Sequence, residues 1–359
     1  MTSGRADRAN IKLLAAAATV AGAATAVLLA VVDIDGTRSG ERLGAAAPSR
    51  KACDKVASPR GSNANRGTAA NPYATVGKLG NSLRPGQTGC LRAGVYRRNV
   101  KVRKGGRPGA PTTIRSYPGE RATVRGRIHV ANSANHVVVR QLFLDGRNRA
   151  RLPSPTVNGN NVVFRDNDVT TRNTTICFLL GSDEYGRARR TLIERNRIHN
   201  CGRLPPTNHH HGIYVEASTG ARITGNWIYD NADRGVQLFP DAQDTYVARN
   251  VIDGNGEGVV FSRKSSRNVV EYNVLSNPVV RYNIEDFELS GARNVARRNC
   301  LWSTRHPDQA GVQPDIEVPV LENLVTEPAY VSRDAKDFRL RPDSPCVQYA
   351  PGSRRPGPR

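Results

Sequence analysis

Between residues 160 and 325 the apolar positions of this chain fall into short alternating runs, each closed by an asparagine and followed by another apolar pair. The runs end at Asn167, Asn196, Asn226, Asn250, Asn273, Asn299 and, in a weaker form, Asn323, so successive asparagines lie 29, 30, 24, 23, 26 and 24 residues apart. A second kind of run opens with glycine: Gly212-Ile213-Tyr214-Val215, Gly235-Val236-Gln237-Leu238 and Gly258-Val259-Val260-Phe261, with Asn283-Ile284-Glu285-Asp286 as a less regular member. Apolar–polar alternation predicts strands, and a repeat of this length predicts the turns of a solenoid. Stacked turns pair each strand with its equivalent one turn on. Ile213, Val236, Val259 and Ile284 then form one interior column, and Val215, Leu238 and Phe261 form the next. The asparagines fall where one strand bends into the next, a place where stacked amides can hydrogen-bond from turn to turn.

The open end of such a coil must be covered against edge pairing. Val76, Leu79 and Leu83, at i, i+3 and i+7, predict a short helix that caps the first turn. Around it stand Ala57-Ser58-Pro59-x-Gly61-Ser62, Asn71-Pro72-Tyr73-Ala74-Thr75, Leu83-Arg84-Pro85-Gly86 and Arg92-Ala93-Gly94-Val95-Tyr96. With the asparagine repeats, these motifs make residues 53 to 346 resemble the right-handed parallel β-helix proteins of the pectate-lyase-like superfamily. The resemblance implies an all-β, single-stranded solenoid. It does not select a reaction, because the superfamily holds lyases, hydrolases, epimerases and non-catalytic adhesins. The Asp-Pro-His of alginate epimerases is missing from this chain.

Residues 13 to 32 are an uncharged apolar run behind Arg5, Arg8 and Lys12, the pattern of an export signal or a membrane anchor. The expected organisation is an export segment and linker over 1–50, a β-helix domain over 51–346 and a disordered Pro/Gly/Arg-rich tail over 347–359. The protein is expected to be secreted or anchored to the outer face of the cytoplasmic membrane, as a monomer. Six cysteines lie beyond the apolar run, and an even number in an exported chain points to disulfides. Nearness in the chain pairs Cys53 with Cys90, Cys177 with Cys201 and Cys300 with Cys346; buried free thiols are the alternative.

Charge narrows the partner. Lys and Arg number 53 against 31 Asp and Glu, a net charge of +22. Aromatic residues make up only 6% of the chain, and there is no nucleic-acid motif, so nucleic acid is not the expected partner. An acidic polysaccharide or other cell-envelope glycan fits better. Residues 91 to 127 hold eleven bases and one acid, Glu120. That segment reads either as a polyanion-binding face or as arginines on outward strand positions and turns.

Aligning the glycine-opened strands places Tyr214, Gln237, Val260 and Glu285 in one outward column. His211, Arg234, Glu257 and Tyr282 stand one position before each strand, and His210, Asp233 and Arg281 stand two before. His209, His210 and His211 suit proton transfer near neutral pH, a metal site with Asp233 or Glu216, or simply a polar turn. Arg234 suits a two-pronged grip on a carboxylate, or a turn-to-turn ion pair.

If the substrate is a uronic-acid polymer, β-elimination needs its carboxylate neutralised and a base to take the C5 proton. The candidate catalytic set is therefore His210, His211, Tyr214, Asp233 and Arg234. His209, Glu216, Gln237, Lys264, Arg281, Tyr282 and Glu285 would bind substrate. The residues single out no cofactor, although Asp241 and Asp244 could help hold calcium. Two other functions stay open: a non-catalytic glycan-binding or scaffold protein of the envelope, and a hydrolase using Asp233 with Glu257 or Glu285.

Overall fold

The computed structural model describes residues 53–349. The export segment and residues 350–359 of the expected tail lie outside the described residues. The fold is all-β, a parallel solenoid of about 10 turns with a single α-helix. Each turn contributes a strand to three long parallel sheets of 11, 9 and 10 strands. The first sheet runs from Lys55–Ala57 to Val320–Leu321, the second from Val100–Val102 to Ile284–Phe287, and the third from Gly94–Tyr96 to Leu324–Val325.

The interior columns are those the alternation predicts. Ile213, Val236, Val259 and Ile284 pair in register and are fully buried. Val215, Leu238 and Phe261 form the adjacent column. The capping helix spans Val76–Ser82; its N-cap Thr75 hydroxyl accepts the Lys78 N–H, and Val76, Leu79 and Leu83 are buried. All three disulfides form as expected from nearness: Cys53–Cys90, Cys177–Cys201 and Cys300–Cys346. They are consistent with an extracellular protein.

The asparagine ladder is continuous from Asn167 to Asn323. Asn226 shows the unit: its Oδ1 accepts the backbone N–H of Asn196 at 2.9 Å and the side-chain amide of Asn196 at 3.1 Å. Its Nδ2 donates to the Ile193 carbonyl and to Asn250 Oδ1, both at 2.9 Å. The residue before each ladder asparagine is left-handed, with φ of 51° at Arg195, 64° at Gly225, 59° at Arg249 and 54° at Tyr272. A left-handed conformation is unfavourable for a side-chain-bearing residue, and the buried amide bonds offset that cost at the bend. Two shorter ladders, Asn231–Asn255 and Asn268–Asn294, brace other bends.

The C-terminal segment leaves the solenoid after Leu324–Val325. Tyr330–Ser332 and Asp337–Leu340 form an antiparallel pair. Its Phe338 packs edge-on against Trp227, on the outer side of the third sheet, within a cluster that includes Val251, Val274 and Cys300. Arg333 pairs with buried Asp253 at 2.9 Å, and Lys336 with Asp230 at 2.8 Å. The segment lies along the side of the coil because an outward apolar column there needs cover.

Removing one ladder amide strands the Asn196 N–H and the Ile193 carbonyl. Asn226→Ala should therefore cost about 3 kcal/mol, read as a lowered midpoint of denaturant unfolding, while a surface control such as Lys78→Ala leaves the midpoint in place.

Candidate functional site

Four neighbouring strands of the second sheet build the site: Ile213–Thr219, Arg234–Gln243, Glu257–Ser262 and Ile284–Phe287. Their register places Tyr214, Gln237, Val260 and Glu285 side by side on the outer face. Two residues farther along each strand, Phe239, Ser262 and Phe287 follow on the same face. Together with the turn before Gly212 they enclose a cleft of about 360 Å³. Of the expected residues, His209, His211, Tyr214, Arg234 and Gln237 line it, joined by Asn208, Phe239, Arg263, Phe287 and Glu288.

The histidine turn is held from below by Asp233. Its carboxylate is buried and accepts three backbone N–H groups, from Thr207 at 3.0 Å, His209 at 2.9 Å and His210 at 2.7 Å. Asp233 thus positions the histidines through their backbone rather than through a ring nitrogen. The His210 ring meets the Thr207 hydroxyl at 2.8 Å and does not line the cleft. His211 is buried, and burial, reinforced by the nearby Arg234 charge, drives its pKa well below the usual imidazole value. Its ring is uncharged at neutral pH and sits edge-on to Tyr214 at 5.3 Å. Burial, with a further push from Glu216, raises the Tyr214 pKa, so the phenol keeps its proton. Tyr214 stacks in turn on Phe239 at 6.2 Å.

Arg234 forms the floor. Its Nη1 donates to the Asn208 carbonyl at 3.1 Å, and its guanidinium lies 5.2 Å over the Phe287 ring. Glu257 stands 3.8 Å from Nε, too far for a hydrogen bond. Burial lowers the Arg234 pKa while Glu257 and Glu285 oppose the shift; the guanidinium stays charged. Arg281 links the cluster, reaching Glu257 at 3.2 Å, Glu285 at 3.1 Å and Asn208 Oδ1 at 3.2 Å. Burial raises the pKa of both glutamates, and the arginines pull the other way. Several buried atoms here have no hydrogen-bonding partner in the protein: His211 Nδ1, Arg234 Nε and Nη2, Gln237 Oε1 and Glu257 Oε2.

The remaining expected residues lie apart from the cleft. Lys264 is exposed, and Tyr282 packs on His306 at 4.8 Å. Glu216 is half-buried beyond Tyr214, with its pKa raised to about 7 by burial and then by Asp183. The calcium candidates are committed elsewhere: Asp244 holds Arg267 through two bonds of 2.7 and 2.8 Å, and Asp241 is bonded to Arg187. Among the described residues there is no group of three or more His/Cys/Asp/Glu arranged to hold a metal. Two larger clefts, of about 580 and 540 Å³, adjoin the cap. Glu120 in the first is already paired with Arg92 at 2.7 Å, and Tyr96 in the second donates to the Ala57 carbonyl, so neither offers comparable chemistry.

A family model described as a right handed beta helix region matches residues 154–301, the stretch that carries the ladder and the cleft. This is a parallel β-helix protein. Among solved structures, the β-helix is similar to pectate lyase Pel9A, with a TM-score of 0.57 and 14% identity over 82% of this chain and 90% of that one. It is similar to XylC in complex with xylose at the same TM-score of 0.57, with 12% identity over 76% of this chain and 67% of that one. At these identities the likeness is one of fold alone. A segment of 76 residues is 34% identical to the uncharacterized protein YwoF of Bacillus subtilis (strain 168); the match spans 21% of this β-helix protein and 16% of that relative.

Glu216 gives a test of site electrostatics. A carboxyl whose folded pKa is raised from 4.5 to about 7 stabilises the fold at low pH and loses that contribution as pH rises between those values. Glu216→Gln should flatten the thermal midpoint against pH over this window and raise the midpoint above pH 7 relative to the parent. An unchanged pH profile would show that Glu216 is solvated normally.

Proposed function

We propose that this is an exported carbohydrate-active enzyme that grips a carboxylated sugar at Arg234 and cleaves the acidic polysaccharide by β-elimination. The observation that carries the reading is the meeting, in one aromatic-walled cleft, of an uncharged imidazole, a protonated phenol and a buried guanidinium with two unfilled N–H groups. Nε and Nη2 lie along one edge of the guanidinium, the edge that matches a carboxylate in a two-pronged bond. Both are screened from solvent, so a substrate carboxylate must displace the groups that cover them, with Glu257 3.8 Å from Nε among the neighbours. Neutralising the carboxylate acidifies the C5 proton of a uronate. His211 takes that proton, the electron pair forms the C4–C5 double bond, and the C4–O bond breaks. Tyr214 gives its proton to the departing oxygen, and proton return from His211 restores the pair; no water is consumed.

The same screening of Arg234 favours a second reading, a non-catalytic glycan-binding β-helix. Hydrolysis by paired carboxylates has less support, because Asp233 is committed to the turn and Glu257 and Glu285 are held by Arg281.

Pectate, alginate, hyaluronan and chondroitin should be screened through the ultraviolet absorbance of the new double bond, with one acidic polymer expected to react. On that polymer, Tyr214→Phe and His211→Ala should each lower kcat about 100-fold or more with little change in KM. Arg234→Lys should lower kcat/KM about 100-fold. Absence of the double bond with every polymer sinks the elimination. Binding without turnover, preserved in Arg234→Lys, assigns a binding role centred elsewhere.

A further inference from the structure

Along much of the coil, outward arginines are neutralised by an acid one turn away. Arg165 pairs with Glu194, Arg195 with Asp166, Arg267 with Asp244 and Arg297 with Glu271, at 2.6 to 2.9 Å. The capped end breaks this pattern. Residues 53 to 107, which make the cap and the first turn, hold twelve bases and one acid, Asp54. Among the described residues, Arg92 alone of the twelve is in an ion pair, with Glu120. Asp54 is engaged by the Thr88 backbone N–H at 2.8 Å. By contrast, residues 303 to 349, which include the last strands of the coil, hold eight acids and five bases. The solenoid is therefore electrically polar, positive at the cap.

The unpaired bases sit around the end of the coil. The three sheets begin there, on Lys55–Ala57, Gly94–Tyr96 and Val100–Val102. Exposed Arg60 follows the first of these strands, and exposed Arg97 and Arg98 join the second to the third. Lys101 stands outward on the third, in register with His129 of the next turn, and exposed Lys104 lies beyond it. The two clefts beside the cap open among these bases. Arg60 and Arg92 line the one of about 580 Å³, and Arg97 and Arg98 line the one of about 540 Å³. Pro59 and Val95, both exposed, line the two clefts together and form an apolar ridge between them. Guanidinium groups in such recesses match the phosphate of a lipid headgroup.

The chain enters the coil at this same end, at Cys53, and twenty residues separate it from the apolar run at 13–32. Twenty residues reach at most about 70 Å. We propose that the capped end is a docking face for an anionic lipid bilayer. Lipid phosphates fill the two clefts, the unpaired bases lie over the headgroups, and the last turns, with their excess of acids, are held away from the membrane. Bases next to a membrane-seeking segment bind anionic headgroups in this way. A bilayer fits this face better than a soluble polyanion does, because the apolar run leads into it and an apolar ridge stands among its bases. The docking face is independent of the chemistry of the Arg234 cleft.

The continuous core and all three disulfides lie within the compact unit Arg50–Arg359. That unit can be tested without the apolar run, which would enter any bilayer. Its binding to vesicles of phosphatidylcholine, alone or mixed with phosphatidylglycerol, is measured by co-sedimentation at low and high salt. The parent should bind the vesicles that contain phosphatidylglycerol, and high salt should release it. Arg97→Glu/Arg98→Glu should weaken this binding about 30-fold. Arg60→Glu/Lys104→Glu should weaken it similarly, and it supplies the reading if the first variant does not fold. Arg189→Glu/Arg203→Glu removes the same charge from exposed positions on the middle turns and should weaken binding about threefold at most. Equal losses in the cap and middle-turn variants would assign the binding to net charge and overturn the docking face. Equal binding to phosphatidylcholine alone, or none to phosphatidylglycerol, overturns it too. Polygalacturonate bound through Arg97 and Arg98 in place of vesicles makes the cap a glycan-binding face instead. Self-association lost in Arg97→Glu/Arg98→Glu, without vesicle binding, makes it a contact between copies.

Discussion

From Asn167 onward, one buried amide per turn fixes the geometry of this protein. Each ladder asparagine accepts from the turn before it and donates to the turn after it, so neighbouring turns are locked at the spacing of paired strands. With pitch and register set, any outward position acquires fixed neighbours one turn away in either direction. The cleft depends on this. Tyr214, Gln237 and Glu285 are far apart in the chain, yet they share a column because Ile213, Val236, Val259 and Ile284 behind them are held in step.

Electrostatic balance shapes what the cleft can do. Arg234 and Arg281 face Glu257 and Glu285, two cations against two anions in a largely buried cluster. Arg281 holds both glutamates closely, while Arg234 is held loosely and keeps N–H groups without partners. Leaving such donors unfilled is costly, and a carboxylate that fills them recovers that cost. Close by, the Arg234 charge and a dry environment keep His211 uncharged. One guanidinium thus supplies both the anion grip and part of the reason that the neighbouring base is free to accept a proton.

Much of the fold could be read from the chain because a solenoid writes its third dimension into a one-dimensional repeat. The asparagine spacing and the alternation of Ile213-Tyr214-Val215 were enough to predict columns that the register reproduces. The cap was equally legible from Val76, Leu79 and Leu83. Turns before Asn167 carry no ladder asparagine and escaped the repeat. So did the column of Lys101 and His129, whose strands have no opening glycine. The partners of Asp233 were not legible, because they are backbone N–H groups contributed by the preceding turn rather than side chains near it in sequence. Phe239 and Phe287 were within reach: each lies two residues beyond a recognised outward position, and alternation alone would have placed them in the cleft. The tight turn-to-turn pairing of Arg281 with Glu257 and Glu285 needed side-chain reach that no periodicity encodes.

The C-terminal segment alters how such a coil comes apart. A stack of like turns, each touching only its neighbours, ordinarily frays one turn at a time from an open end. Here Phe338, Arg333, Lys336 and the Cys300–Cys346 link fasten the last segment to residues spread over several turns, from Trp227 and Asp230 to Cys300. None of those turns can leave without the others losing their cover. The end of the solenoid nearest the cleft therefore opens as a block or not at all, and the four strands that hold the chemistry share a single melting event.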